Sequence, residues 1–477
     1  MTTITQSNSA FPADLLIELD RSRPRGLRTQ LEHGLRQAIT SGSLPPGTVL
    51  PPSRVLAAEL DVSRSLVVGA YEQLTVEGYL EARQGSGTRV RAVRAALTQA
   101  ARDGTVPQSA PYWPVRIGPS GRIASSGLPD PALFPRSQWL RHYRDMLRDL
   151  PGDGLLYPPP RGTPELRAAL TAYLGRVRGV HATPDQVVIC GGFSQGLVLI
   201  CRALRQRGVA RVAVEDPCFQ FHRTLIHVAG LEWVPVPVDE RGMLTSRLAG
   251  LDVGAVLLSP AHSYPSGAVL SADRRIELLR WARETGALVI EDDYDAELRY
   301  DRVPVGALQG LGPQHVVYGG TASKVLSPAL RLGWLVVPPE LTNEIIRAKC
   351  FEDYSAEGLG QLTLARFIDS GGLARHLRRV RPVYRARRDR LLAALAARLP
   401  EIRPQGEAAG LHLLLRLPGG LDPDLVSKTA ATRGIVLDKA AWHWADPDAA
   451  PPALLIGYGS LRASDLDRGI EALADLI

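Results

Sequence analysis

The sequence predicts an α/β protein in separate parts: a small N-terminal domain of helices with one hairpin, a linker, and a large, mostly parallel α/β domain that ends in a smaller α+β domain. Three observations carry this. From about residue 121, short apolar runs alternate with helical patterns, as strands buried on both faces do when helices cover them. Residues 12–92 instead hold helical segments a few residues apart and a glycine-tipped hairpin. Between them, residues 93–120 (VRAALTQAARDGTVPQSAPYWPVRIGPS) have no sustained period and read as a linker. The chain's 477 residues suffice for two or three domains. Its 45% apolar and 22% charged content is that of an ordinary globular protein.

Composition excludes several classes. The four cysteines, Cys190, Cys201, Cys218 and Cys350, have no metal-type spacing and lie in or near apolar segments. They read as reduced core residues of a cytoplasmic protein, with no metal site. The N-terminus MTTITQSNSAF has no charged leader, and no apolar run approaches membrane-spanning length. A net charge of +7 and a pI near 9.4 permit a nucleic-acid partner without requiring one.

The N-terminal elements follow in order. In GLRTQLEHGLRQAITSG, Leu31, Leu35, Ala38 and Ile39 recur at helical spacing. SLPPGTVLPP breaks the pattern, and Ser53 is placed to cap SRVLAAEL. After a three-residue turn, Ser63 caps a second helix, RSLVVGAYEQLTVEGYL. EARQGSGTRVRA then reads as two short strands around a Gly-Ser-Gly tip. Helix, short turn, helix and hairpin make a winged helix-turn-helix pattern, which binds double-stranded DNA. Ser63, Arg64 and Ser65 open the recognition helix with the small polar and basic side chains that base edges require. Arg54 opens the preceding helix, where phosphate or a guanine edge is within reach. Gly87, at the hairpin tip, allows close approach to the DNA backbone. The stretch LPPGTVLPPSRVLAAELDVSRSLVVGAYEQLTVEGYLEARQGSGTRV resembles the GntR-type winged helix nearly throughout. It departs at Asp61, where that family usually has glycine; Asp tolerates left-handed geometry at modest cost.

The C-terminal strands are expected at QVVIC, RVAVE, AVLLS, ALVIE, HVVYG and GWLVV. Just before the last of these, GGTASKVLSPALRLGW carries Lys324. Only four of the chain's 56 basic residues are lysines, so a lysine here invites a chemical reason. Arginine stays charged, whereas lysine can lose its proton and attack a carbonyl. A lysine holding pyridoxal phosphate (PLP) as an aldimine needs companions: an acid facing the pyridine nitrogen, a donor to the phenolate, hydroxyls, amides and an arginine for the phosphate, and a flat side chain against the ring. Candidates stand where strands end. EDDYDAELRY offers Asp292, Asp293 and Tyr294. ICGGFSQG runs from a strand into a glycine-rich helix start. EDPCFQFH places Phe219, SPAHSYPSG places His262 and Tyr264, and Thr321, Ser323 and Arg331 flank the lysine.

This ordered set resembles the fold-type I PLP enzymes of the class I aminotransferase type. With the winged helix in front, roughly residues 20–477 resemble the MocR subfamily of GntR regulators. The pieces that carry the likeness are EDDYDAELRY, GGTASKVLSPALRLGW, HLRRVRPVYRARRD and the DNA-binding stretch. The resemblance implies PLP as cofactor, Lys324 as the Schiff-base residue, Asp292 at the pyridine nitrogen and Tyr294 at the phenolate. Thr321, Ser323, Arg331 and the amides of Phe193 and Ser194 would hold phosphate, Phe219 would stack on the ring, and His262 would join the site. It also implies a homodimer, with a small subdomain from roughly residue 370.

One departure bears on function. Aminotransferases grip the substrate carboxylate with a bidentate arginine, and family members carry one in a Ser-Arg-Tyr-Tyr-like stretch. Here GIVLDKAAWHW puts Trp442 in that place. Without the arginine, transamination is disfavoured and PLP itself becomes the expected signal, as in the branch of the family that controls vitamin B6 synthesis. The rival expectations are a working aminotransferase with an accessory DNA-binding domain and a regulator that senses an amino acid through PLP.

Overall fold

The structure is a computed structural model. It describes residues 19–21, 26–83, 87–91, 127–300, 305–406, 408–432 and 437–461, and Asp467, Ile470, Glu471, Leu473 and Ala474. The chain divides into two compact units, Met1–Trp113 and Pro114–Ile477. The expected linker at 93–120 and most of the hairpin tip lie outside the described residues.

The first unit contains helices α1 (Leu27–Ser41), α2 (Ser53–Glu59) and α3 (Arg64–Val76), then strands β1 (Leu80–Arg83) and β2 (Gly87–Val90), which pair antiparallel. Leu31, Leu35 and Ala38 form the buried stripe of α1 and pack with Leu56, Val67, Ala70 and Leu74. Ser63 caps α3 by accepting the Leu66 amide at 3.3 Å. Ser53 does not cap α2. The helix starts at Ser53 itself, with Pro52 in the cap position and no side-chain cap, and proline's fixed φ supplies the entry geometry. Asp61 sits in the inter-helix turn at φ +48°, the left-handed conformation that glycine usually fills.

The second unit is built on an eight-stranded sheet. Its strands are β3 (Val187–Cys190), β4 (Arg211–Asp216), β5 (Glu232–Asp239), β6 (Gly242–Met243), β7 (Ala255–Leu258), β8 (Leu288–Asp293), β9 (Val316–Thr321) and β10 (Gly333–Val336). Their order across the sheet is β3-β10-β9-β8-β7-β4-β5-β6. The pairs β4–β5, β4–β7, β7–β8 and β8–β9 are parallel, whereas β10 runs antiparallel to both neighbours. All six predicted strands lie in this sheet. The sequence reading missed β5, EWVPVPVD, whose two prolines argue against a strand. Beyond β5 only the two-residue β6 pairs with it, and prolines are tolerated near an edge.

Helices cover both faces. Helix Phe193–Gln206 packs with Val188, Val212 and Leu335 on one face; helix Ala272–Thr285 packs with Val256, Val289 and Val316 on the other. The small domain is a four-stranded antiparallel sheet in the order β11-β12-β14-β13, comprising β11 (Arg403–Gln405), β12 (His412–Arg416), β13 (Asp438–Lys439) and β14 (Ala453–Gly457). The 27-residue helix Gly372–Arg398 leads into it. In the large sheet, β4, β7, β8 and β9 run parallel, so their carboxyl ends open on one side. The turns leaving those ends carry Phe219, His262, Tyr294 and Lys324, as ligand sites in open α/β sheets require.

Candidate functional site

The DNA-facing candidates of the first unit are all solvent-exposed. Arg54 lies on α2, Ser63, Arg64 and Ser65 open α3, and Gly87 starts β2 at φ +80°. The Ser63 and Ser65 hydroxyls are 3.1 Å apart, so the capping serine also orders its neighbour. Arg36 forks onto Glu77 with bonds of 2.8–3.0 Å, so that arginine braces α1 against the end of α3.

In the second unit the side chains converge. Strand alternation sends Asp292 and Asp293 to opposite sides of β8, and their partners decide which faces the cleft. Asp293 receives Arg178 in a bidentate pair of 2.7 and 3.1 Å, with both side chains fully buried. Asp292 is buried too, but its Oδ1 has no hydrogen-bond partner, and its Oδ2 lies 3.6 Å from His222 Nε2. Burial, with Asp293 and Asp295 adding repulsion, pushes the Asp292 carboxyl well above the usual carboxylate range. Burial also pushes His222 down to about 4, leaving it neutral and unable to compensate. Asp292 is therefore an acid waiting for a positively charged N–H partner, as the pyridine nitrogen of PLP would be.

Lys324 donates from Nζ to the Gly127 carbonyl at 2.8 Å. Burial pushes its ammonium below the usual lysine range, against the opposing pull of Asp295 and Asp292. That shift enlarges the fraction of free amine, the form that attacks a carbonyl. Near it the Thr321 hydroxyl donates to Ser323 Oγ at 2.9 Å and accepts the Ser323 amide at 3.1 Å.

The anion end is built by helix Phe193–Gln206, which no side chain caps. Its amides at Phe193 and Ser194 head a positive helix end. Arg331, held at φ +50°, bonds to the Gly191 carbonyl through its guanidinium. A side chain at Gly192 would meet that guanidinium at 3.2 Å, so the glycine keeps the cradle open. A positive helix end, an arginine and two hydroxyls fit a phosphate. Gly319 has a second steric role: the Phe193 ring lies where its Cβ would be, at 2.3 Å.

The ring side is aromatic and histidine-rich. Phe219 meets His222 (5.3 Å) and Tyr264 (5.6 Å) edge-on and lies roughly parallel to His443 at 6.2 Å. Tyr294 and His262 come together, the hydroxyl 3.1 Å from Nδ1. From sequence, Asp295 and His412 are not singled out, and His443 and His222 count only as neighbours of the expected arginine that cannot replace its planar fork. Histidines on apolar segments read as core residues, and only the fold brings these four side chains to one cleft.

The small-domain stretch differs from expectation. Ala441–His443 forms a single 3-10 turn, so strand alternation does not apply. Trp442 is 54% exposed, with Lys439 Nζ 5.9 Å from its ring centroid. The side chain of this stretch that reaches Phe219 is His443, which is 2% exposed and pushed down to about 3, chiefly by burial. Arg416 is tied to Gln405 at 3.0 Å and sits over Trp444. The stretch is fastened to the large domain through its backbone. The His443 carbonyl accepts from the Cys218 amide (3.0 Å) and Arg223 (2.8 Å), and Arg223 also donates to the Trp442 carbonyl (2.8 Å).

Comparison with known proteins agrees with both units. Residues 27–90 match the gntR family of bacterial regulatory proteins, and residues 136–445 match aminotransferase class I and II. The chain is 33% identical over 455 residues to the HTH-type pyridoxine biosynthesis transcriptional regulator PdxR of Corynebacterium glutamicum, covering 94% of this chain and 95% of that one. It is 32% identical over 480 residues to the probable rhizopine catabolism regulatory protein MocR of Rhizobium meliloti, covering 96% and 95%. Among solved structures, the kynurenine aminotransferase of Pyrococcus horikoshii superposes with a TM-score of 0.68 at 28% identity, covering 74% of this chain and 89% of that one. Two matched domains in this order, and regulators alike over nearly the full length, show that the chain belongs to the MocR group of GntR-type transcription regulators, with a winged helix followed by a fold-type I aminotransferase domain.

Proposed function

We propose that this regulator senses pyridoxal phosphate itself, and that PLP bound in the second unit changes the affinity of the winged helix for a double-stranded DNA operator. The observation that carries the reading is the buried, unpartnered Oδ1 of Asp292, on the same cleft as a lysine displaced toward its free amine and an open anion cradle. PLP supplies an aldehyde for an amine and a ring nitrogen for an acid. Lys324 is the covalent anchor, and Asp292 pairs with the ring nitrogen. Tyr294 donates to the phenolate, with His262 behind it, and Phe219 lies against the ring. Thr321, Ser323, Arg331 and the Phe193 and Ser194 amides hold the phosphate. Arg54, Ser63, Arg64, Ser65 and the Gly87 tip contact DNA. The protein acts as a cytoplasmic homodimer with paired half-sites, and the relative named for pyridoxine biosynthesis makes vitamin B6 metabolism the proposed target. Coupling is linkage: PLP favours one arrangement of the dimer, and that arrangement binds DNA differently.

The rings against Phe219 among the described residues include His443 and Tyr264, and an aromatic and histidine lining favours a sensor over an amino-acid-processing enzyme. The deciding experiment measures binding to DNA from upstream of the protein's own gene, with and without PLP, at one fixed salt concentration. A specific complex whose affinity changes several-fold with PLP is expected. A specific complex indifferent to PLP, or rapid conversion of bound PLP by amino acids, overturns the reading.

A further inference from the structure

Strand β8 ends at Asp293, and the turn that leaves it carries Tyr294 and then Asp295. Asp295 and His262 are both buried, with side chains 3% and 2% exposed, and Asp295 Oδ2 lies 2.9 Å from His262 Nδ1. The Tyr294 hydroxyl lies 3.1 Å from the same nitrogen. One imidazole nitrogen carries a proton or offers a lone pair, never both, and a carboxylate oxygen accepts. Nδ1 therefore carries a proton and gives it to Asp295, whether the ring is neutral or cationic. Tyr294 can share that proton as a second acceptor, but it has no lone pair on Nδ1 to donate to. Its own proton must point elsewhere.

We propose that Asp295 is a positioning residue: by holding the proton of His262 on Nδ1, it turns the hydroxyl proton of Tyr294 toward the phenolate oxygen of the bound cofactor. This rests on the PLP reading. Tyr294 keeps the proton it would donate, because burial, then Asp295 and Asp292, push its ionisation well above the usual tyrosine range. His412, on β12, lies 5.4 Å from His262 between ring centroids and is held neutral by burial. Tyr264 packs on His412 at 4.7 Å and on Tyr294 at 6.4 Å. The fourth wall is backbone. Gly410, at φ +72°, lies so close that a Cβ there would stand 2.4 Å from His262 Cε1 and 2.7 Å from Asp295 Oδ2. The Gly410 backbone thus packs directly against the pair.

The test uses the full-length protein loaded with PLP and follows the visible band of the bound cofactor against pH. A donor to the phenolate favours its charged form, so losing that donor raises the pH midpoint by about one unit, the worth of one charge-assisted hydrogen bond. Tyr294→Phe removes the donor. Asp295→Asn removes the charge that holds the proton on Nδ1, so the ring can carry it on Nε2 and the Nδ1 lone pair can accept the tyrosine proton. Both variants are expected to raise the midpoint, and the double variant to raise it no further than Tyr294→Phe alone. A midpoint unmoved by Asp295→Asn, or moved equally in the Tyr294→Phe background, overturns the assignment. A second measurement does not depend on the cofactor. Nitrogen NMR of histidine-labelled, PLP-free protein, with His262→Gln to assign the signal, should show a protonated Nδ1, and an unprotonated Nδ1 overturns the proposal. If the wild-type protein shows no visible band with PLP, the cofactor reading fails and the assignment to Asp295 falls with it, whereas a band with an unprotonated Nδ1 overturns the assignment alone.

Discussion

The two units present their working residues in opposite ways. In the winged helix, Arg54, Ser63, Arg64 and Ser65 are exposed, lie within twelve residues of sequence and need no reshaping to meet DNA. In the aminotransferase-like unit, Asp292, Tyr294, His262 and Lys324 are partly or wholly buried, come from three separate strand ends, and include a carboxyl oxygen with no partner. The first surface is complete without ligand, whereas the second carries an unpaid polar debt that a ligand would settle. Under the proposed function, regulation belongs to the unit with more to gain from binding.

The contrast can be broken at its strongest point first. Lys324→Ala should abolish the visible band of bound PLP and the response of DNA binding to PLP, while PLP-free binding to the operator stays at the wild-type level. A retained band, read by absorbance after dialysis, would mean that another group is the anchor. Next is Arg178→Ala, which leaves Asp293 buried without its partner. Loss of one member of a buried pair costs about 3–5 kcal/mol. Urea unfolding followed by tryptophan fluorescence should show it, because residues 27–90 contain no tryptophan and the signal reports on the rest of the chain. An unchanged midpoint would mean that Asp293 finds another partner. The smallest effect sharpens the first unit: Arg64→Ala should weaken operator binding by about 1–3 kcal/mol and relax base preference at one position. A uniform loss on all sequences, with the salt slope reduced by about 0.9, would make Arg64 a phosphate contact instead.

Legibility followed the same division. The winged helix was readable because its signals are local: the stripe Leu31, Leu35, Ala38, the cap Ser63 and the left-handed turn at Asp61. The large sheet was readable wherever strands are apolar throughout, and it failed at β5, where Pro235 and Pro237 hide a strand that has only a short neighbour on one side. Within the cleft, residue types that chemistry demands were found at strand ends. The choice of Asp292 over Asp293 rested on resemblance, and what the structure adds is that Asp293 is occupied by Arg178, 115 positions away. The place of Trp442 rested on resemblance, and the 3-10 turn at Ala441–His443 is what carries His443 to Phe219. Asp295 was missed because a carboxylate beside two others reads as a solvated strand end until a histidine from another turn is placed against it.

The fastening of the 441–445 stretch has a consequence for how this regulator can diversify. Arg223 and the Cys218 amide grip carbonyl oxygens of Trp442 and His443, and the Ala445 amide reaches Asp216 at 2.7 Å. Every residue type offers the same carbonyl. The side chain at 442 can therefore be exchanged without touching these bonds, whereas His443 also accepts the Gln220 amide on Nδ1 at 3.4 Å. A lineage can change the exposed side chain at 442 and inherit the backbone fastening intact.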